Sequence, residues 1–101
     1  MRWSEVEEFA AGLPGLRFRR QDGLRLWRLH GRLVARQLDT DSLVIRVSFD
    51  LRPSLLDQFP GTFSVPARFE KHMMVVAELT DAEPGAVEQA LEGAWALQSH
   101  G

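Results

Sequence analysis

The sequence predicts an α+β domain: an antiparallel sheet of about five strands with three helices packed mainly on one side. Three observations predict it. Apolar residues recur at helical spacing near both ends and once in the middle, they alternate in short runs between, and most connections between those runs are hairpin-like. With 101 residues, 45% hydrophobic and 26% charged, the chain is long enough for a single core, so residues 1–101 read as one domain.

The first helix opens at Ser4-Glu5-Val6-Glu7, a capping-box pattern in which Ser4 caps and Glu7 reaches back. Val6, Phe9, Ala10 and Leu13 follow at helical spacing, and Leu13-Pro14-Gly15 stops it. Residues 24–30 and 32–38 form a hairpin around His30-Gly31 or Gly31-Arg32, where Gly supplies the positive φ. Asp39-Thr40-Asp41-Ser42 is a polar loop before a third strand, Leu43 to Ser48. Asp50 caps a short helix to Phe59, with Leu51, Leu55 and Phe59 as its stripe and Pro60-Gly61 as its stop. Thr62–Val65 and Met73–Leu79 alternate like strands, joined by a loop from Pro66 to His72. A last helix runs from about Gly85 to Ser99, with Val87, Leu91 and Ala94 inward and Trp95 beside them.

Strand parity sorts the faces. A two-residue turn at Gly31 puts Trp27 and Leu29 on the face of Val34. If Asp39–Ser42 is a four-residue loop, Leu38 pairs with Leu43, and the core face is Trp27, Leu29, Val34, Leu38, Leu43, Ile45 and Val47. The open face then carries Leu24, Leu26, Arg28, His30, Leu33, Ala35, Val44 and Arg46. A five-residue loop reverses the third strand and brings more arginines toward the helices, so the first register is preferred.

Charge is unevenly spread. Residues 17–36 hold seven arginines and one acid, a charge of +6, which leaves −8 for the rest of a chain whose net charge is −2. Such segregation can steer an anionic partner. In the preferred register the seven do not form one stripe: Arg17, Arg19, Arg20, Arg25, Arg32 and Arg36 fall at strand ends and turns, which leaves Arg28 mid-face with His30 and with Arg46 of the third strand. Eleven of the twelve basic residues are Arg, which a GC-rich genome explains as well as selection does.

Several chemistries find no residues. Without cysteine there is no disulfide, thiolate metal site or thiol nucleophile. His30, His72 and His100 lack metal-ligand spacing, and no Gly-rich phosphate loop or nucleophile elbow occurs. Asp39 and Asp41 suit a turn for backbone reasons. No nucleophile has a base in reach, so the expectation is a non-enzyme without metal or cofactor. The N-terminus lacks the apolar stretch of a signal peptide and no apolar run is long enough for a membrane span, so the expectation is a cytoplasmic protein.

The order of motifs resembles the MmcQ/YjbR family across nearly the whole chain. Trp3-Ser4-Glu5-Val6 leading to Leu13-Pro14-Gly15 is similar to that family's start. Trp27-Arg28-Leu29-His30-Gly31-Arg32-Leu33-Val34-Ala35-Arg36 resembles its F-x-V-x-G-K-x-F-A hairpin, and Leu43-Val44-Ile45-Arg46-Val47 its L-x-L-K-V strand. Leu51-Arg52-Pro53-Ser54-Leu55-Leu56 stands in the place of its E-R-x-x-L-L helix. Thr62 to Pro66, Val75 to Leu79 and Ala90 to Trp95 are similar to its closing segments. The resemblance implies a bacterial, double-wing α+β domain described as predicted DNA-binding, with no catalytic residues to carry over. Arg32 and Arg46 fall where members carry Lys or Arg; Arg28 and Lys71 lie in variable positions. One departure stands out: His72-Met73-Met74 replaces a Gly-Trp or similar aromatic, and no Tyr accompanies Phe69.

The functional expectation is therefore double-stranded DNA bound by phosphate contacts from Arg28, Arg32, Arg46, Arg68 and Lys71. A second reading is an interaction module, a monomer or weak homodimer using Leu24, Leu26, Leu33 and Val44. A third is a small-ligand pocket between sheet and helices near Trp27, Trp95 and Phe63, residues that suit the core better.

Overall fold

Two dipeptides organise the first half of the sheet. Asp22-Gly23 and His30-Gly31 both hold two successive positive φ angles, 53° and 79° in the first and 53° and 77° in the second, the geometry of a type I′ hairpin turn. The computed structural model describes residues 1–100. Helix α1 (Trp3–Ala11) precedes strands β1 (Arg17–Gln21), β2 (Leu24–Leu29), β3 (Arg32–Gln37) and β4 (Ser42–Arg46). Then come α2 (Leu51–Gln58), β5 (Phe63–Ser64), a 3-10 turn (Ala67–Phe69), β6 (Met74–Glu78) and α3 (Pro84–Ser99). One antiparallel sheet has the order β1-β2-β3-β4-β6-β5, and the helices pack on one face of it.

The sheet has six strands rather than five, because Arg17–Gln21 is a strand. Its burial explains why apolar alternation misses it: all five residues are exposed, and the Phe18 ring rests against Trp27 at 5.1 Å between centroids. The turn at Asp22-Gly23, not a buried face, folds it onto β2.

Register in the middle strands depends on two irregularities that cancel. Arg28 pairs with Leu33, but Trp27 pairs with Ala35, so Val34 is an extra residue, a β-bulge. In the next connection Gln37 pairs with Leu43, one step away from the expected Leu38 and Leu43. Leu38 N–H donates to the Ser42 carbonyl at 2.8 Å, and Asp41 N–H donates to Asp39 Oδ1 at 3.1 Å inside the loop. Either shift alone turns β4 over; both together keep Leu43, Ile45 and Val47 on the face of Trp27 and Leu29. Two assignments change as a result. Ala35 is in the core rather than on the open face, and Leu38 packs with Val44, Phe69 and Val76 on the opposite side.

The core joins Trp27, Leu29, Leu43, Ile45 and Val75 of the sheet to Val6, Leu55, Val87 and Leu91 of the three helices. Each such side chain contributes roughly 1.5–3 kcal/mol on burial. α3 and α2 meet closely at Gly93, where a Cβ would lie 2.6 Å from Leu51 Cδ2.

The helix starts differ from expectation. Glu5, not Glu7, reaches back, its carboxylate accepting the Arg2 N–H at 2.8 Å, so α1 begins at Trp3. Two contacts hold the chain there: the Met1 ammonium donates to the Leu79 carbonyl at 2.7 Å and Trp3 Nε1 to the Thr40 carbonyl at 2.7 Å. At α2 the Ser48 hydroxyl, rather than the Asp50 carboxylate, accepts from Leu51 N–H at 3.1 Å. Among the described residues no helix is long and apolar enough to cross a membrane.

Candidate functional site

Alternation along each strand assigns every residue of the sheet to the helix side or the open side. On the open side, one row across the ladder runs Arg17, Arg28, Leu33. The next runs Arg19, Leu26, Arg36, Val44, Val76. Arg46 opposes Met74 beyond the bulge. Five arginines, Arg17, Arg19, Arg28, Arg36 and Arg46, thus share one face. The expected scatter is corrected: strand β1 contributes two of them and the bulge turns Arg36 outward. His30 occupies the β2–β3 turn, as a hairpin around His30-Gly31 predicts, rather than the middle of this face.

These cations have no acidic partners among the described residues. Among the described residues the only ion pair is Arg25 with Glu7, at 3.6 Å on the helix side. Directly opposed residues sit about 5 Å apart between Cβ atoms, within the roughly 8 Å Debye length of physiological salt, so neighbouring guanidinium fields add. Acids gather on the other side of the molecule, where Glu5, Glu8, Glu88 and Glu92 surround Phe9 and Leu13 between α1 and α3. Of the seven arginines in residues 17–36, Arg17, Arg19, Arg28 and Arg36 share the open face, while Arg20, Arg25 and Arg32 face the helix side; the open face also carries Glu78, which opposes Ser42.

The apolar half of the open face is partly roofed. Phe69, from the 3-10 turn, packs on Val44 and Val76 and leaves Val44 fully buried. Arg52 fastens this roof. Its Nη1 donates to the carbonyls of Phe69 at 3.3 Å, His72 at 2.7 Å and Met74 at 3.3 Å, and its Nη2 to Glu70 at 2.9 Å. Two cations border the ring of Phe69, Arg68 at 4.8 Å and Arg36 at 5.9 Å. The unroofed half forms a shallow groove of about 310 Å³, lined by Gln21, Asp22, Leu24, Leu26, Arg28, Leu33 and Arg36 among others.

Of the residues singled out from sequence, Arg28 and Arg46 lie on the open face and Arg68 at its border. Arg32 pairs with Leu29, a core-facing residue, so it projects to the helix side at the end of the hairpin. Lys71 is exposed in the turn after Phe69. Sequence reasoning missed Arg17, Arg19 and Arg36. The Asp22-Gly23 dipeptide between Arg-rich runs was the signal for the first two; nothing in the local sequence marks the bulge. Of the residues offered for an interaction patch, Val44 is covered and Leu26 is 8% exposed, leaving Leu24 and Leu33. Trp27 and Phe63 are buried in the core, and Trp95 donates its Nε1–H to the Pro14 carbonyl at 2.8 Å.

No family model, curated protein or solved structure matches this chain. Among the described residues no three His, Asp or Glu side chains come together as a metal-binding group.

Proposed function

We propose that the open face binds nucleic acid through its phosphate backbone, without catalysing a reaction on it. Duplex DNA is the form that the likeness to the MmcQ/YjbR family suggests, with the cytoplasm as the setting. One observation carries the reading: five arginines share a face and, among the described residues, none is ion-paired. A polyanion supplies the missing countercharge. In this reading Arg28 and Arg46 make the central contacts, Arg17, Arg19 and Arg36 extend them, and Arg68 adds one from the border. Arg32 and Lys71 contribute only where the ligand wraps past the sheet. The homodimer reading has less support, because the roof over Val44 removes much of the apolar face it needs.

Titration of a labelled duplex by anisotropy tests this. The five arginines of the face alone give a slope of about −4.5 in log K against log salt, so affinity falls at least several hundredfold between about 50 and 200 mM. No binding at about 50 mM salt and high-micromolar protein overturns it, since non-specific binders reach that range.

A further inference from the structure

The groove on the open face is more apolar than a phosphate-binding surface requires. Its floor is Leu26, 8% exposed, and its walls are Leu24 and Leu33. Arg28 and Arg36 stand at one part of its lining, Gln21 and Asp22 at another. A rigid duplex cannot use that floor. Six strands at about 4.8 Å spacing make a face about 24 Å wide, while the major groove is about 12 Å wide, so the sheet meets only phosphates and sugars.

We infer that this groove holds an unpaired nucleobase, so that the ligand of the open face is single-stranded or locally unpaired nucleic acid. The inference rests on the nucleic-acid reading of the same face. A base swung out of its stack lays an apolar ring on Leu24, Leu26 and Leu33. The guanidinium planes of Arg28 and Arg36 offer it a stacking surface and take the adjoining phosphate. Asp22 repels a second phosphate but accepts a hydrogen bond from an exocyclic amino group, and the Gln21 amide both donates and accepts. The groove's volume of about 310 Å³ lies at the small end of ligand pockets, which suits one nucleoside rather than a run of stacked bases.

Three labelled ligands of equal length separate the possibilities: a single strand, the same strand made abasic throughout, and the duplex. The full chain is expected to bind the single strand about tenfold tighter than the abasic one, the scale of one buried apolar group. A surface reading phosphate alone prefers the duplex, whose charge is denser; this protein is expected to prefer the single strand. Leu33→Ser is expected to bring the single strand down to the abasic level while leaving the abasic affinity unchanged. The exposed-rim variant Leu24→Ser, expected to act in the same direction, gives the readout if Leu33→Ser does not fold. Equal affinity for the single strand and its abasic form, or a preference for the duplex, overturns the base site and leaves phosphate binding standing. No binding to any of the three overturns both.

Discussion

Arg17 and Arg28 oppose each other directly across the β1–β2 ladder, on the same face, and neither is ion-paired among the described residues. Like charges in such positions weaken a sheet. Removing one is therefore expected to help folding and harm binding. Arg28→Gln should raise unfolding stability by about 0.3 kcal/mol in urea titrations. In nucleic-acid titrations it should weaken affinity and flatten the salt slope by about 1. A variant that loses stability and keeps its slope counts against the functional reading.

The carbonyls of Phe69, Glu70, His72 and Met74 converge on one guanidinium. Arg52→Ala should cost about 2 kcal/mol, the scale of charge-assisted hydrogen bonds lost together. Arg52→Lys should recover only part of that, because an ammonium lacks the planar fork. Amide exchange resolved by residue should show faster exchange at Phe69, Glu70 and His72 than at the β4–β6 ladder. Uniform loss of protection would instead assign Arg52 to the global fold.

Adjacent positions test the bulge. Ala35 is fully buried toward the helices, while Arg36 lies on the open face beside Val44. Ala35→Glu should cost more than about 3 kcal/mol, an unpaired charge in the core. Arg36→Glu should change stability by less than about 0.5 kcal/mol and abolish most nucleic-acid affinity. Regular alternation from Val34 requires the opposite ranking, so thermal melts of the two variants decide between the registers.

His30 holds φ at 53° and Gly31 at 77°. Left-handed backbone is disfavoured for most side chains and favoured by Asn. His30→Asn should stabilise by about 0.5 kcal/mol, and Gly31→Ala should destabilise by about 1 kcal/mol, both read from denaturant midpoints. A neutral Gly31→Ala would mean that the hairpin rearranges rather than strains.

Much of this fold was legible without coordinates. Helical spacing located α2 and α3 within a residue or two, since Leu51, Leu55, Val87 and Leu91 show their inward face by position alone. Apolar alternation located β4 and β6, because Leu43, Ile45, Val75 and Ala77 line one buried face. The first strand was not legible this way: RFRRQ buries none of its residues, and it is held by the backbone of β2, the Asp22-Gly23 turn and the half-exposed Phe18 ring on Trp27.

By itself the sequence determined the α+β class, the core residues that recur with fixed periods, and the concentration of arginine in residues 17–36. Local propensity and apolar periodicity act over a few residues, and those features are local. Only the tertiary structure decided which arginines meet. That depends on register, and register here turns on an extra residue at Val34 and a shifted pairing at Gln37 and Leu43, each invisible in a period-two pattern. Only the tertiary structure placed Phe69 over Val44 and Arg52 under its loop, because those contacts join residues far apart in sequence through backbone carbonyls that every residue carries. The basic face and its apolar groove are products of how the strands align.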